Sequence, residues 1–133
     1  MKLVIAGSRD LKDYEIARSC ILSGLAAKRI ETTVTQIVSG KCPSGADFFG
    51  EEFAKEIGVP VIGFNAGWGE FGKAAGPIRN EEMAIYADVV FVLINNNSKG
   101  SLNMIKNAMK HKKPLMVFKF IDQKLVAVHN IGD

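Results

Sequence analysis

Glycine, serine and arginine residues gather in short loops that follow predicted strands. The first loop reads Gly7-Ser8-Arg9-Asp10, and the second runs from Ser39-Gly40 to Ser44-Gly45-Ala46-Asp47. Glycine lets the backbone approach a ligand closely, and the N–H groups at a helix start carry a partial positive charge. A serine hydroxyl and an arginine fork add further donors. These residue types favour the binding of an anion, with the Ser44 segment as the best candidate cradle.

The same residues also allow a structural interpretation. The glycines could only form turns, and Ser44 could only cap a helix, because Asp47 three residues later completes a pattern like a capping box. Several such loops at one end of a sheet favour the ligand interpretation over the structural one.

A glycine-rich stretch over residues 66–80 adds two more candidate contacts. Trp68, the only tryptophan, could stack on a base or close over a pocket, or it could plug the space under its loop. Lys73 lies among small residues and could pair with a phosphate or lie in solvent.

Arg79 and Asn80 lie just inside a predicted helix that begins near Pro77. The side chain of Arg79 therefore starts close to the other helix N-termini and could bind a phosphate or a carboxylate. The alternative is a structural ion pair with Glu81 or Glu82.

Other kinds of site find little support in the sequence. There is no G-x-G-x-x-G fingerprint and no G-x-x-x-x-G-K-[ST] loop, which disfavours a dinucleotide dehydrogenase and a P-loop enzyme. His111 and His129 have no metal-ligand partners at usable spacing, and no Ser-His-Asp set stands out. We predict neither a metal nor a cofactor. Cys20 and Cys42 are interpreted as free thiols, with a reactive role for Cys42 as the alternative.

Length and composition place the chain among ordinary globular domains. Its 133 residues fit one domain, with 47% hydrophobic and 23% charged residues. The formal net charge of +3 suits an anionic small ligand and disfavours nucleic acid, which usually requires a denser basic surface. No apolar run is long enough for a signal peptide or a membrane span, so we expect a cytoplasmic protein. The oligomeric state stays open, with a homo-oligomer as one alternative.

Apolar strands alternate with amphipathic helices along the chain. Strands are predicted near residues 3–6, 34–38, 59–64, 88–94, 115–120 and 124–128, and helices near 13–28, 44–57, 77–86 and 101–111. Such alternation predicts an α/β fold: a three-layer Rossmann-like sandwich with a mostly parallel sheet and an antiparallel C-terminal edge strand. The polar loops all leave the carboxyl ends of strands, where open sheets bind ligands.

Taken together, these motifs resemble the YspA-like branch of the SLOG superfamily, which groups the Smf/DprA-like and LOG-like Rossmann folds. The resemblance extends from the first strand to about Pro114. It is carried by Gly7-Ser8-Arg9-Asp10, Ser39-Gly40, Gly45-Ala46-Asp47, Trp68, Gly72-Lys73-Ala74-Ala75-Gly76-Pro77, Arg79-Asn80, Met83 and Ala87-Asp88.

This resemblance implies a domain that binds nucleotides or nucleotide-derived ligands. LOG-type relatives hydrolyse the N-glycosidic bond of nucleoside monophosphates, with an arginine that matches Arg79 and a P-G-G-x-G-T-x-x-E motif. Here Gly100-Ser101 stand for the Gly-Thr pair, but Met104 falls where the glutamate would be. A thioether cannot act as a general base, so the hydrolase chemistry is not expected in its known form.

The leading prediction is therefore a nucleotide-binding or sensor domain. One alternative is a hydrolase that uses Asp10, Asp47 or Glu81 in place of the missing glutamate. A further alternative is single-stranded DNA binding like the DprA relatives. The predicted ligand contacts are Gly7, Ser8, Arg9, Ser39, Gly40, Ser44, Gly45, Ala46, Asp47, Trp68, Lys73, Arg79, Asn80, Gly100 and Ser101.

Overall fold

Six strands and five helices alternate along the chain in the computed structural model, which describes all 133 residues. The strands are β1 (Lys2–Gly7), β2 (Gln36–Ser39), β3 (Val61–Gly63), β4 (Val89–Asn95), β5 (Leu115–Ile121) and β6 (Lys124–Ile131). The helices are α1 (Tyr14–Lys28), α2 (Gly45–Ile57), α3 (Trp68–Phe71), α4 (Ala75–Tyr86) and α5 (Lys99–Lys110). A 3₁₀ turn, Gly72–Ala74, joins α3 to α4.

The strands form one sheet in the order β3-β2-β1-β4-β5-β6. All neighbouring strands are parallel except β5 and β6, which pair antiparallel. The predicted fold class, including the antiparallel edge strand, is confirmed. The strand order reverses between β1 and β4, so the loops after these two strands diverge and leave a crevice at the carboxyl edge.

Helices cover both faces of the sheet, as the apolar strand sequences require. On one face α1 and α2 pack over buried residues such as Ile21 and Phe53. On the other face α4 and α5 pack through Met83, Met104 and Ala108. The four central residues of β1 and all seven residues of β4 are buried, so these strands form a rigid base for the loops that follow them.

Two predicted helix ends are confirmed in detail. The Asp13 carboxylate accepts a hydrogen bond from the Ile16 nitrogen at 3.3 Å and caps α1. Gly58 ends α2 with a φ of 74°, a left-handed conformation that glycine adopts at little cost. The turn between β5 and β6 also follows the expected position, with Asp122 and Gln123 both at positive φ.

Some predicted boundaries are wrong. β2 and β3 are shorter than expected, and β3 begins only after Pro60, which has no N–H to donate to the sheet. Trp68 was expected in a loop but begins the short helix α3, because the Gly67 carbonyl accepts from the nitrogens of Glu70 and Phe71 at 3.0 and 2.8 Å. Helix α4 begins before Pro77, at Ala75.

Candidate functional site

Ser8 joins the two loops that border the crevice. Its hydroxyl accepts a hydrogen bond from the Asn95 nitrogen at 2.7 Å and lies 3.3 Å from the hydroxyl of Ser101. Its own nitrogen donates to the Leu93 carbonyl at 2.9 Å. Ser8 is only 1% exposed, so its hydroxyl positions the loops rather than facing solvent.

The start of α2 packs directly against the same loop. The Ala46 nitrogen donates to the Ser8 carbonyl at 3.1 Å, so this helix N–H is already bonded within the protein. Gly45 permits the contact: its φ is 68°, and a Cβ there would lie 2.2 Å from the Ser8 oxygen. Gly7 is equally constrained, since a Cβ would lie 1.9 Å from the Leu93 oxygen.

The expected capping box at Ser44 is not formed. Ser44 precedes α2 but its side chain makes no capping hydrogen bond. The Asp47 carboxylate turns back to the preceding loop instead, where it accepts from the Cys42 nitrogen at 3.2 Å. The carboxylate therefore holds the loop before α2 and leaves the Ser44 side chain exposed.

Between these loops lies a cavity of about 320 Å³, which we call the inner cavity. Its lining combines both edges of the crevice with one side of α4 and the start of α5. The lining residues are Ala6, Gly7, Ser8, Arg9, Asp10, Cys42, Asp47, Arg79, Asn80, Met83, Ser98, Gly100 and Met104.

Two further cavities adjoin it. The outer cavity, about 260 Å³, is lined by Arg9, Trp68, Lys73, Gly76, Pro77, Arg79, Asn80, Lys99, Gly100 and Asn103. The side cavity, about 210 Å³, is lined by Arg9, Gly40, Lys41, Cys42, Pro43, Asn65, Ala66, Trp68 and Arg79. Arg9 and Arg79 line all three cavities, so the three form one cleft around two guanidinium groups.

Arg79 points inward and is held by neutral oxygens. It donates to the Gly40 carbonyl at 3.1 Å and to Oδ1 of Asn80 at 3.3 Å, while its Nε is buried without a hydrogen-bond partner. No carboxylate lies within 4.0 Å, so the expected alternative of an ion pair with Glu81 or Glu82 is wrong. A buried donor without a partner is uncommon in folded proteins.

The two carboxylates of the inner cavity differ in environment. Asp47 is 7% exposed, and this burial raises its pKa, although the Cys42 N–H and the positive charge of Arg79 act in the opposite direction. Asp10 is exposed at the mouth of the same cavity. The cavity thus holds a shielded and a solvated carboxylate beside two arginines.

The N-terminus of α5 forms the opposite side of the cleft. Ser98 precedes the helix without capping it, and Gly100 lines both the inner and the outer cavity. The first-turn N–H groups of a helix have no partner within that helix, so this end favours an anion. Asn80 fixes its position by donating to the Gly100 carbonyl at 3.3 Å and to Oδ1 of Asn103 at 3.0 Å.

Most predicted contacts converge on the cleft, but some do not. Gly7, Ser8, Arg9, Gly40, Asp47, Trp68, Lys73, Arg79, Asn80 and Gly100 line at least one of the three cavities. Ser39, Ser44, Gly45, Ala46 and Ser101 line none of them. Ser39 is fully buried and donates to Glu51 at 2.8 Å, and Ser101 is 2% exposed and bonded to Ser98.

The structure also adds residues that the sequence did not single out as ligand contacts. Cys42, Met83, Ser98 and Met104 line the inner cavity, and Lys99 and Asn103 line the outer one. Lys99 directly precedes the Gly100-Ser101 pair and Asn103 lies two residues after it, and this closeness in sequence was a usable signal. No such signal pointed to Met83 and Met104, because a buried methionine at helical spacing indicates core packing.

Glu81 is not part of the cleft. Its carboxylate accepts from Lys110 at 2.6 Å and lies 2.9 Å from His111, and these partners lower its pKa. Of the three carboxylates considered for hydrolysis, only Asp10 and Asp47 line a cavity with Arg79. No group of three or more His, Cys, Asp or Glu side chains is placed to hold a metal ion.

None of the five helices combines the length and the apolar character that crossing a membrane would require.

Comparison with known proteins gives one match. The model of the YAcAr family, described as the YspA, cpYpsA-related SLOG family, matches residues 1–71. No curated protein and no solved structure matches the chain. The matched region holds the loops after β1 and β2 and reaches Trp68, whereas Arg79 and Gly100 lie beyond it. Because more than half of the 133 residues match, the chain belongs to the YspA, cpYpsA-related SLOG family.

Proposed function

We propose that this chain binds a nucleotide or a nucleotide-derived ligand through its phosphate, as a binding or sensor domain. Membership of the SLOG family supports a nucleotide-related binding domain. The observation that carries the proposal is the pair Arg9 and Arg79, which line all three cavities of the cleft. Neither guanidinium has a carboxylate within 4.0 Å.

The physical reason is electrostatic. Arg79 is held by the neutral oxygens of Gly40 and Asn80, so its guanidinium is oriented without forming a direct ion pair. A phosphate in the cleft would meet two guanidinium forks and the uncapped start of α5. The Arg79 guanidinium is already positioned in the free protein by Gly40 and Asn80, which reduces the entropy lost on binding.

Isothermal titration of the purified chain with AMP, ADP, NAD, ADP-ribose and cyclic dinucleotides tests the proposal. We expect binding of at least one of them, with Arg79→Ala weakening it by about tenfold or more. Arg79→Lys keeps the charge but not the fork, and should recover only part of the affinity.

The matched control is Arg29→Ala, because Arg29 lies at the end of α1, makes no ion pair and lines no part of the cleft. Arg29→Ala removes one positive charge, as Arg79→Ala does. It should leave the nucleotide affinity within about twofold of that of the intact chain. Absence of heat from every ligand at millimolar concentration would contradict the proposal.

Hydrolysis of an N-glycosidic bond is the second candidate function. It is favoured by one observation: Asp10 and Asp47 line the inner cavity with Arg79, and their environments differ. Two carboxylates in different environments can divide the general-acid and general-base roles. Release of free base from AMP that is lost in Asp47→Asn but retained in Glu81→Gln would support hydrolysis, and no release would exclude it.

A further inference from the structure

The charged residues of the cleft are unevenly distributed between its cavities. The outer cavity is lined by four cationic residues, Arg9, Lys73, Arg79 and Lys99, and by no acidic residue. The inner cavity shares the two arginines but adds the carboxylates of Asp10 and Asp47. The outer cavity is therefore the more strongly positive part of the cleft.

None of the four cations of the outer cavity forms an ion pair within the protein. No carboxylate lies within 4.0 Å of Arg9, Lys73, Arg79 or Lys99. The contrast is Lys41 in the neighbouring side cavity, which pairs with Glu51 at 3.1 Å. Like charges without ion-pair partners that converge on one small space raise the local positive potential and attract an anion.

The charge of that anion indicates how many phosphates the ligand carries. A single phosphate monoester carries a charge of about −1.5 to −2 near neutral pH, which is well below the fourfold positive charge that lines the outer cavity. Two linked phosphates balance it more completely. The uncapped N-terminus of α5, which begins at Lys99 and presents Gly100 to the same cavity, adds further positive potential.

The inner cavity is suited to the other end of such a ligand. The carboxylates of Asp10 and Asp47 would repel a phosphate, but they accept hydrogen bonds from hydroxyl groups. Ribose hydroxyls are donors of this kind. The polarity of the cleft thus separates a hydroxyl-accepting inner part from a phosphate-attracting outer part.

We infer that the ligand is a nucleoside with two linked phosphates, bound with its pyrophosphate in the outer cavity and its ribose hydroxyls toward Asp10 and Asp47. This inference rests on the proposed nucleotide binding and makes it specific. It assigns Lys73 and Lys99 the role of distinguishing a diphosphate from a monophosphate. Arg9 and Arg79 would contact both monophosphates and diphosphates, because they line the inner cavity as well as the outer one.

The experiment compares AMP, ADP and ADP-ribose by isothermal titration in a buffer with EDTA, so that no divalent cation masks the phosphate charge. We expect ADP and ADP-ribose to bind the intact chain about tenfold or more tightly than AMP. In Lys73→Ala/Lys99→Ala this preference should fall to about threefold or less, while AMP affinity changes by no more than about threefold.

The control variant is Lys106→Ala/Lys112→Ala, which loses the same charge from exposed lysines outside all three cavities. It should retain the preference for the diphosphate. Equal binding of AMP and ADP by the intact chain, or an unchanged preference in Lys73→Ala/Lys99→Ala, would overturn the inference while the proposed function stands. Failure of every nucleotide to bind would overturn both.

Discussion

The hydroxyl of Ser8 and the main-chain nitrogen of Asn95 lie 2.7 Å apart, across the point where the strand order reverses. Ser8 follows β1, and Asn95 is the last residue of β4. This hydrogen bond joins the two loops that would otherwise diverge. The opening of the inner cavity is therefore set by a buried serine that never contacts solvent to a significant degree.

Ser8→Ala should destabilise the fold. The substitution leaves the buried Asn95 N–H without its acceptor, which costs about 1–3 kcal/mol of unfolding free energy. Urea unfolding of both proteins measures the difference. Ser44→Ala is the matched control, because the exposed Ser44 hydroxyl caps no helix, and it should change stability by less than about 0.5 kcal/mol. Equal stabilities of the two variants would contradict this role.

Gly45→Ala and Gly58→Ala separate backbone strain from a steric clash. Both glycines have positive φ, 68° and 74°, so alanine at either position costs about 1–2 kcal/mol in conformational strain. Only at position 45 would the new Cβ also approach the Ser8 oxygen, at 2.2 Å, whereas nothing lies within 4 Å at position 58. We expect a clearly larger loss of stability in Gly45→Ala, measured by thermal unfolding. Equal losses of stability in the two variants would show that the loop at Ser8 moves to accommodate the new Cβ.

The raised pKa of Asp47 makes stability depend on pH in a defined direction. Above the ordinary value of 3.8 the unfolded chain releases this proton while the folded chain still holds it, because burial disfavours the charged form. Rising pH therefore reduces stability until the folded-state pKa is passed. The unfolding free energy of the intact chain minus that of Asp47→Asn should fall as the pH rises from about 4. A difference that grows with pH would contradict the assignment.

The two thiols should differ in reactivity. Burial raises the pKa of Cys20 to about 11, and its side chain is only 4% exposed, so almost no thiolate forms near neutral pH. Cys42 is partly exposed and lines two cavities of the cleft. We expect iodoacetamide to modify one thiol in the folded protein and two after unfolding, as counted by mass spectrometry.

Cys42→Ser should leave no rapidly modified thiol, and a bound nucleotide should slow the reaction of Cys42 in the intact chain. Modification of both thiols at the same rate would show that Cys20 is not shielded as the structure indicates.

The fold could be predicted from the sequence because its signals are local. Continuous apolar runs such as β4, a capping aspartate at Asp13 and a glycine stop at Gly58 each specify an element without reference to distant residues. Their alternation then predicts a parallel sheet with its polar loops at one edge. The prediction at Trp68 was wrong because a single helical turn after Gly67 has no periodic pattern to indicate it.

The site could be predicted only in part, for a different reason. A polar residue in a loop after a strand can face the ligand space or hold the loop, and the sequence does not distinguish the two. Ser39 and Ser101 were predicted as contacts but are buried in hydrogen bonds with other side chains. Asn95 and Asn96 likewise accept from the nitrogens of Gln123 and Asp122 and support the β5–β6 turn.

The two sides of the cleft differ in how firmly they are held to the rest of the fold. Its inner wall is tied to β1 and β4, but no residue of the helix Trp68–Phe71 or of the turn Gly72–Ala74 is buried. Detaching that stretch would break few apolar contacts, so its local opening requires far less free energy than disruption of the sheet. If the cleft binds a ligand as proposed, we expect the ligand to enter and leave past Trp68, at a rate that depends on this stretch rather than on the stability of the whole domain.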